Sequence, residues 1–134
     1  MLEQVREHVR KLFDEGKISG FLGLRDMQGG ILPHVYENAQ HLDDGFTLGA
    51  RENKSPGRYP MAKLALALAR RYTDKHFGVL VRGCDDRALF ELLRWNQVPG
   101  LAERIVRVGF ACRQELADAH ECRKPYPEEM VVGE

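Results

Sequence analysis

The stretch that most narrows what this chain can fold into runs from Phe77 to Cys112, FGVLVRGCDDRALFELLRWNQVPGLAERIVRVGFAC. An uninterrupted apolar run, Phe77–Val81, breaks at Arg82-Gly83-Cys84-Asp85-Asp86. Helical spacing follows, with apolar residues at Ala88, Leu89, Leu92, Leu93 and Trp95, and Val98-Pro99-Gly100 ends it. A second apolar run, Ile105–Phe110, stops just before Cys112. Two short apolar runs joined by a helix-length segment predict parallel strands with a crossover helix. The unit carries a cysteine just past the C-terminal end of each strand, which is where ligands sit in open α/β sheets.

The rest of the chain supplies partners for this unit. Leu2, Val5, Val9, Leu12 and Phe13 recur at steps of three and four, which predicts a helix over residues 2–15 with Gly16 as its C-cap. Ile18–Arg25 and Ile31–Tyr36 flank the turn-forming Asp26-Met27-Gln28-Gly29-Gly30 and predict a hairpin over residues 18–36. Pro33 cannot donate to a ladder, so the second strand belongs on a sheet edge. Phe46–Leu48 is a candidate third strand. Pro60 suits a helix start, and Met61–Thr73 is rich in Ala and Leu, apolar nearly all round, with Arg70 and Arg71 in its last turn. The expected fold class is α/β, a layered domain with a mixed sheet that combines a parallel βαβ unit (77–112) with an antiparallel hairpin (18–36).

Composition removes several classes of function. The 134 residues suit one domain able to bury its own core. Lys and Arg number 20, as do Asp and Glu, so no overall charge draws the chain to nucleic acid or an anionic membrane. No apolar run approaches a membrane span, and MLEQVREHVRKLF is not a secretory signal, so the expected location is the cytoplasm without membrane insertion. Three cysteines, an odd number, argue for free, metal-binding or redox-active thiols there.

The residues able to carry chemistry cluster around that unit. Cys84 follows a strand and opens a helix, where backbone donors favour a thiolate, the form that ligates metal or attacks. Asp85 or Asp86 is a candidate N-cap. Arg82, Gly83 and Arg87 beside the same helix start form a candidate anion site, without GxGxxG or Walker spacing. Arg51, Lys54 and Arg58, with Tyr59 as a stacking surface, offer a second place for a nucleotide or flavin phosphate. Cys112 and Cys122 stand nine residues apart, and His120 lies two before Cys122. Neither the clustered cysteines of iron–sulfur proteins nor paired zinc spacings occur. His34 and Trp95 read as packing residues, and no hydrolytic triad can be assembled.

Over VRGCDDRALFELLRWNQV and ERIVRVGFAC the sequence resembles the coenzyme F420 hydrogenase/dehydrogenase beta-subunit family. The matching features are Cys84-Asp85 after an apolar strand, Asn96-Gln97 at a helix end, and Gly109 with Cys112 closing the next strand. The helix MAKLALALARRY matches as well, and the resemblance covers roughly residues 18–127. It implies an electron-transfer module of a redox complex from an anaerobe, with a 4Fe-4S cluster, a flavin or both, and other subunits or domains as partners. Cys84 and Cys112 would stand near those cofactors, Cys84, Cys112 and Cys122 would be metal ligands, and Arg82, Gly83, Asp85 and Arg58 would help bind a cofactor. The family's opening glycine pair is replaced here by VREHVRKLFDEG, and its downstream cysteine cluster does not appear before Glu134. The expectation is therefore a domain of a longer protein that holds part of a redox site. The alternatives are a cofactor-free domain that assembles such a complex, and a nucleotide-binding regulatory domain.

Overall fold

The structure, a computed structural model, describes residues 2–27, 30–48, 59–96 and 100–110. Helix α1 (Leu2–Asp14) precedes a hairpin of β1 (Gly20–Met27) and β2 (Gly30–Tyr36). A 3-10 turn at Ala39–Asp43 leads to the short β3 (Phe46–Thr47). Then come α2 (Met61–Arg71), β4 (Phe77–Val81), α3 (Gly83–Asn96), a second 3-10 turn at Ala102–Arg104, and β5 (Ile105–Gly109). The strands form one mixed sheet in the order β2-β1-β4-β5. β1 and β2 are antiparallel, while β1 with β4 and β4 with β5 are parallel. The fold is therefore α/β, with the expected βαβ unit and with Pro33 on an edge strand.

The apolar patterns explain the layers. Val5, Val9 and Leu12, spaced along one stripe of α1, are its buried residues. Gly16 follows at φ +70, a conformation that closes the helix without a Cβ penalty. All five residues of β4 are buried, as expected of a strand covered on both faces. α2 and α3 pack against each other, and α2 packs on β4. Phe21, Tyr36 and Phe46 gather as an aromatic trio with ring centroids 5.7–6.1 Å apart. The Tyr36 hydroxyl donates to the Leu24 carbonyl at 2.9 Å, which satisfies a phenol whose residue is fully buried.

Some boundaries and exposures differ from the sequence reading. β1 begins at Gly20, two residues after Ile18, and α2 ends at Arg71, two before Thr73. Tyr72 then leaves the helical conformation while its N–H donates to the Leu68 carbonyl. α2 also exposes Lys63, Ala67, Arg70 and Arg71, so it is not buried all round. Among the described residues, no helix is long and apolar enough to cross a membrane.

Candidate functional site at the C-terminal edge of the parallel strands

β1 has two hydrogen-bonding edges. β2 fills one along Phe21–Met27. β4 takes the other only at Gly20–Leu22, and β3 takes it at Leu24–Arg25. β1 and β4 therefore part toward their C-terminal ends, where a parallel sheet opens for ligands. β4 and β5 instead stay paired to Val81 and Gly109, and the Phe110 N–H continues the ladder onto the Val81 carbonyl at 3.1 Å.

The chain leaves β4 at Val81 and enters α3 immediately. Asp86 N–H donates to the Arg82 carbonyl at 2.9 Å, the first helical bond. The Asp85 carboxylate accepts from the Arg82 backbone N–H at 3.1 Å and from its Nε at 3.4 Å. Asp85 is thus the third residue of the helix reaching back to the residue before it, as the acidic half of a capping box does, and it is not the N-cap itself. Asp86 is not the N-cap either: its carboxylate accepts from Arg107 Nη1 of β5 at 2.8 Å. Arg82, Asp85 and Asp86 are 4%, 7% and 3% exposed, so these pairings supply the compensation that buried charge requires.

Four of the predicted site residues, Arg82, Gly83, Cys84 and Asp85, are brought together by this one turn. Cys84 carries a free, half-buried thiol. The same turn does not present Arg82 to an outside anion, because that side chain is buried against Asp85, and two carboxylates already occupy the positive end of the helix. The Tyr59 hydroxyl donates to the Ile31 carbonyl, which fixes the phenol end of that side chain. Arg51, Lys54, Arg58, Cys112, His120 and Cys122 lie outside the described residues. Among those described, no three His, Cys, Asp or Glu side chains are grouped to hold a metal ion.

The sequence reading missed two features. Arg107 ties β5 to the start of α3, and its only sequence signal is a cation inside an otherwise apolar run, IVRVG. Trp95, read as a packing residue, is 78% exposed, and Phe90 is 61% exposed. Helical spacing places Cys84, Ala88, Glu91 and Trp95 along one stripe of α3, and Ala88, Glu91 and Trp95 all face solvent. A cleft of about 390 Å³ lined by Asp86, Arg87, Phe90, Glu91 and Arg107 lies on the flank of the same helix. Compared with known proteins, the chain matches no protein-family profile and no curated sequence.

Proposed function

We propose that this chain is an electron-transfer module of an iron–sulfur, flavin-linked oxidoreductase complex, the role implied by its resemblance to the coenzyme F420 hydrogenase/dehydrogenase beta-subunit family. The observation that carries the reading is Cys84, a half-buried thiol in the first turn of α3 at the C-terminal edge of the parallel strands. The described residues offer one cysteine, whereas an iron–sulfur cluster takes four cysteine ligands, so they do not by themselves fit a whole cluster. Cys84 is one ligand in this reading, with Cys112 and Cys122 as further candidates and the remainder supplied by a partner subunit or domain. A bound cluster would supply one-electron chemistry. The chain's own residues position the thiol: Asp85 and Arg82 fix the turn that carries it, and Asp86 with Arg107 pins that turn to β5. The cytoplasm, where thiols stay reduced, is the compartment this requires.

The exposed Trp95 favours a second reading, a cofactor-free domain that only assembles the complex, because exposed tryptophans are typical anchors of protein interfaces. Anaerobic reconstitution with iron, sulfide and flavin separates the two. The electron-transfer reading expects a coloured, iron-containing or flavin-containing protein and a loss of colour in Cys84→Ser. A folded wild-type chain that stays colourless and takes up neither iron nor flavin would exclude cofactor binding by this chain alone, and electron transfer in the partner complex left unchanged by Cys84→Ser and Cys112→Ser would leave only the assembly reading.

A further inference from the structure

A second surface lies on another part of the molecule and does not depend on the redox reading. α2 packs over the sheet face that carries Leu22 and Val35, and among the described residues the helix layer ends there. No described helix lies over the β2 side of that face. Two clefts of about 310 and 460 Å³ fill the step between α2 and β2, and both are lined by Val35 and Leu68. The floor and wall of the smaller cleft are apolar, Leu22, Pro33 and Val35 from the sheet and Leu64 and Leu68 from the helix, while the larger one adds the polar Ser19, Glu37 and Lys75. Pro33, Val35, Leu64 and Leu68 are each only half-buried, so the groove leaves apolar surface in contact with water.

The groove is long and open. It follows α2 from Leu64 to Arg71, roughly 10 Å of axis at about 1.5 Å per residue, and continues past the helix end to Tyr72. A layer of helices on a sheet continues by laying the next helix about 8–10 Å from the last, and the space beside α2 is that position. Its bank is cationic. Arg71 and Lys75 line the clefts, and both stand over the Tyr72 ring, at 5.9 and 5.2 Å from its centroid. α2 itself, MAKLALALARR, contains no acidic residue, and Glu37 is the acidic side chain among those lining the clefts.

We propose that the groove between α2 and β2 docks an amphipathic helix of a partner protein, with its apolar stripe on Val35, Leu64 and Leu68 and its acidic flank against Arg71 and Lys75. The test uses the full chain and two synthetic amphipathic helices that share one leucine stripe, one flanked by glutamates and the other by lysines. Binding is followed by fluorescence anisotropy. The glutamate peptide is expected to bind about tenfold or more tighter than the lysine peptide, with the order reversed in the exposed double variant Arg71→Glu/Lys75→Glu. Leu68→Glu, checked for an intact fold by circular dichroism, is expected to abolish binding of both. Failure of the glutamate peptide to bind, equal binding of the two peptides, or an unchanged preference in the double variant would overturn the proposal. Two further results would reassign the groove and overturn it as well. One is adsorption to anionic phospholipid vesicles, lost in the double variant, without peptide binding. The other is a concentration-dependent dimer, seen by sedimentation and lost in Leu68→Glu.

Discussion

Phe21 packs closely against two glycines, Gly23 and Gly78, at the centre of the sheet. A Cβ on Gly23 would stand 2.7 Å from Phe21 Cε2, and one on Gly78 would stand 3.1 Å from Phe21 Cδ1 and 3.3 Å from Ile18 Cδ1. Phe21 is fully buried and cannot swing aside. Gly23→Ala is therefore expected to cost about 1–3 kcal/mol in denaturant unfolding, the usual range for overpacking, and Phe21→Leu in the same chain should recover part of it. An equally stable Gly23→Ala would show that the ring has room. A second residue-scale prediction concerns pH. Burial lowers the pKa of His34 below 6.5, aided by Arg25 and His41, and burial with Lys11 nearby lowers that of His8. The unfolded chain then takes up these protons more readily than the folded one, so the stabilising contribution is complete above 6.5 and shrinks as pH falls through and below it. Melting temperatures of His8→Gln/His34→Gln should decline less between neutral and mildly acidic pH than those of the wild type. Parallel curves would contradict this.

At the scale of elements, α2 is closed by a residue far along the chain. Arg104 Nη1 donates to the carbonyls of Ala69 at 2.8 Å and Tyr72 at 3.0 Å, so a cation from the turn before β5 satisfies the last turn of α2. Arg104→Met, which keeps the apolar stem, is expected to cost about 1.5–3 kcal/mol, the range for hydrogen bonds to a charged group. It should also speed amide exchange in the last turn of α2 more than in α1. Asp85→Ala should cost about 3 kcal/mol or more, because it leaves buried Arg82 without the carboxylate that compensates it. The three described α-helices and the four longer strands were legible in the sequence because each depends on a local pattern: the stripe of α1, the five apolar residues of β4, the edge proline of β2; the 3-10 turns at Ala39–Asp43 and Ala102–Arg104 carry no such pattern. Ends were less legible, because they depend on caps supplied from a distance. Arg104 stands 32 residues after Tyr72 and has no local signature.

For the whole molecule, the legible part of the candidate site was the turn on which its residues sit. Strand, glycine turn and acidic helix start are contiguous in sequence, and the fold keeps Arg82, Gly83, Cys84 and Asp85 in one turn. The illegible part came from tertiary pairing. Asp86 looked like a helix cap until β5 placed Arg107 against it, and Trp95 fitted an apolar helical pattern although its side of α3 faces solvent. The groove beside α2 was also hidden, since Leu64 and Leu68 have the same spacing whether a further helix covers them or not. Alkylation protection tests most directly the proposal that Cys84 is a cofactor ligand. The folded chain is treated with iodoacetamide before and after anaerobic reconstitution with iron and sulfide, and the Cys84 peptide is quantified by mass spectrometry. Cys84 is expected to be modified readily before reconstitution and protected after it; equal modification in both samples, with iron bound in the second, would show that Cys84 is not a ligand.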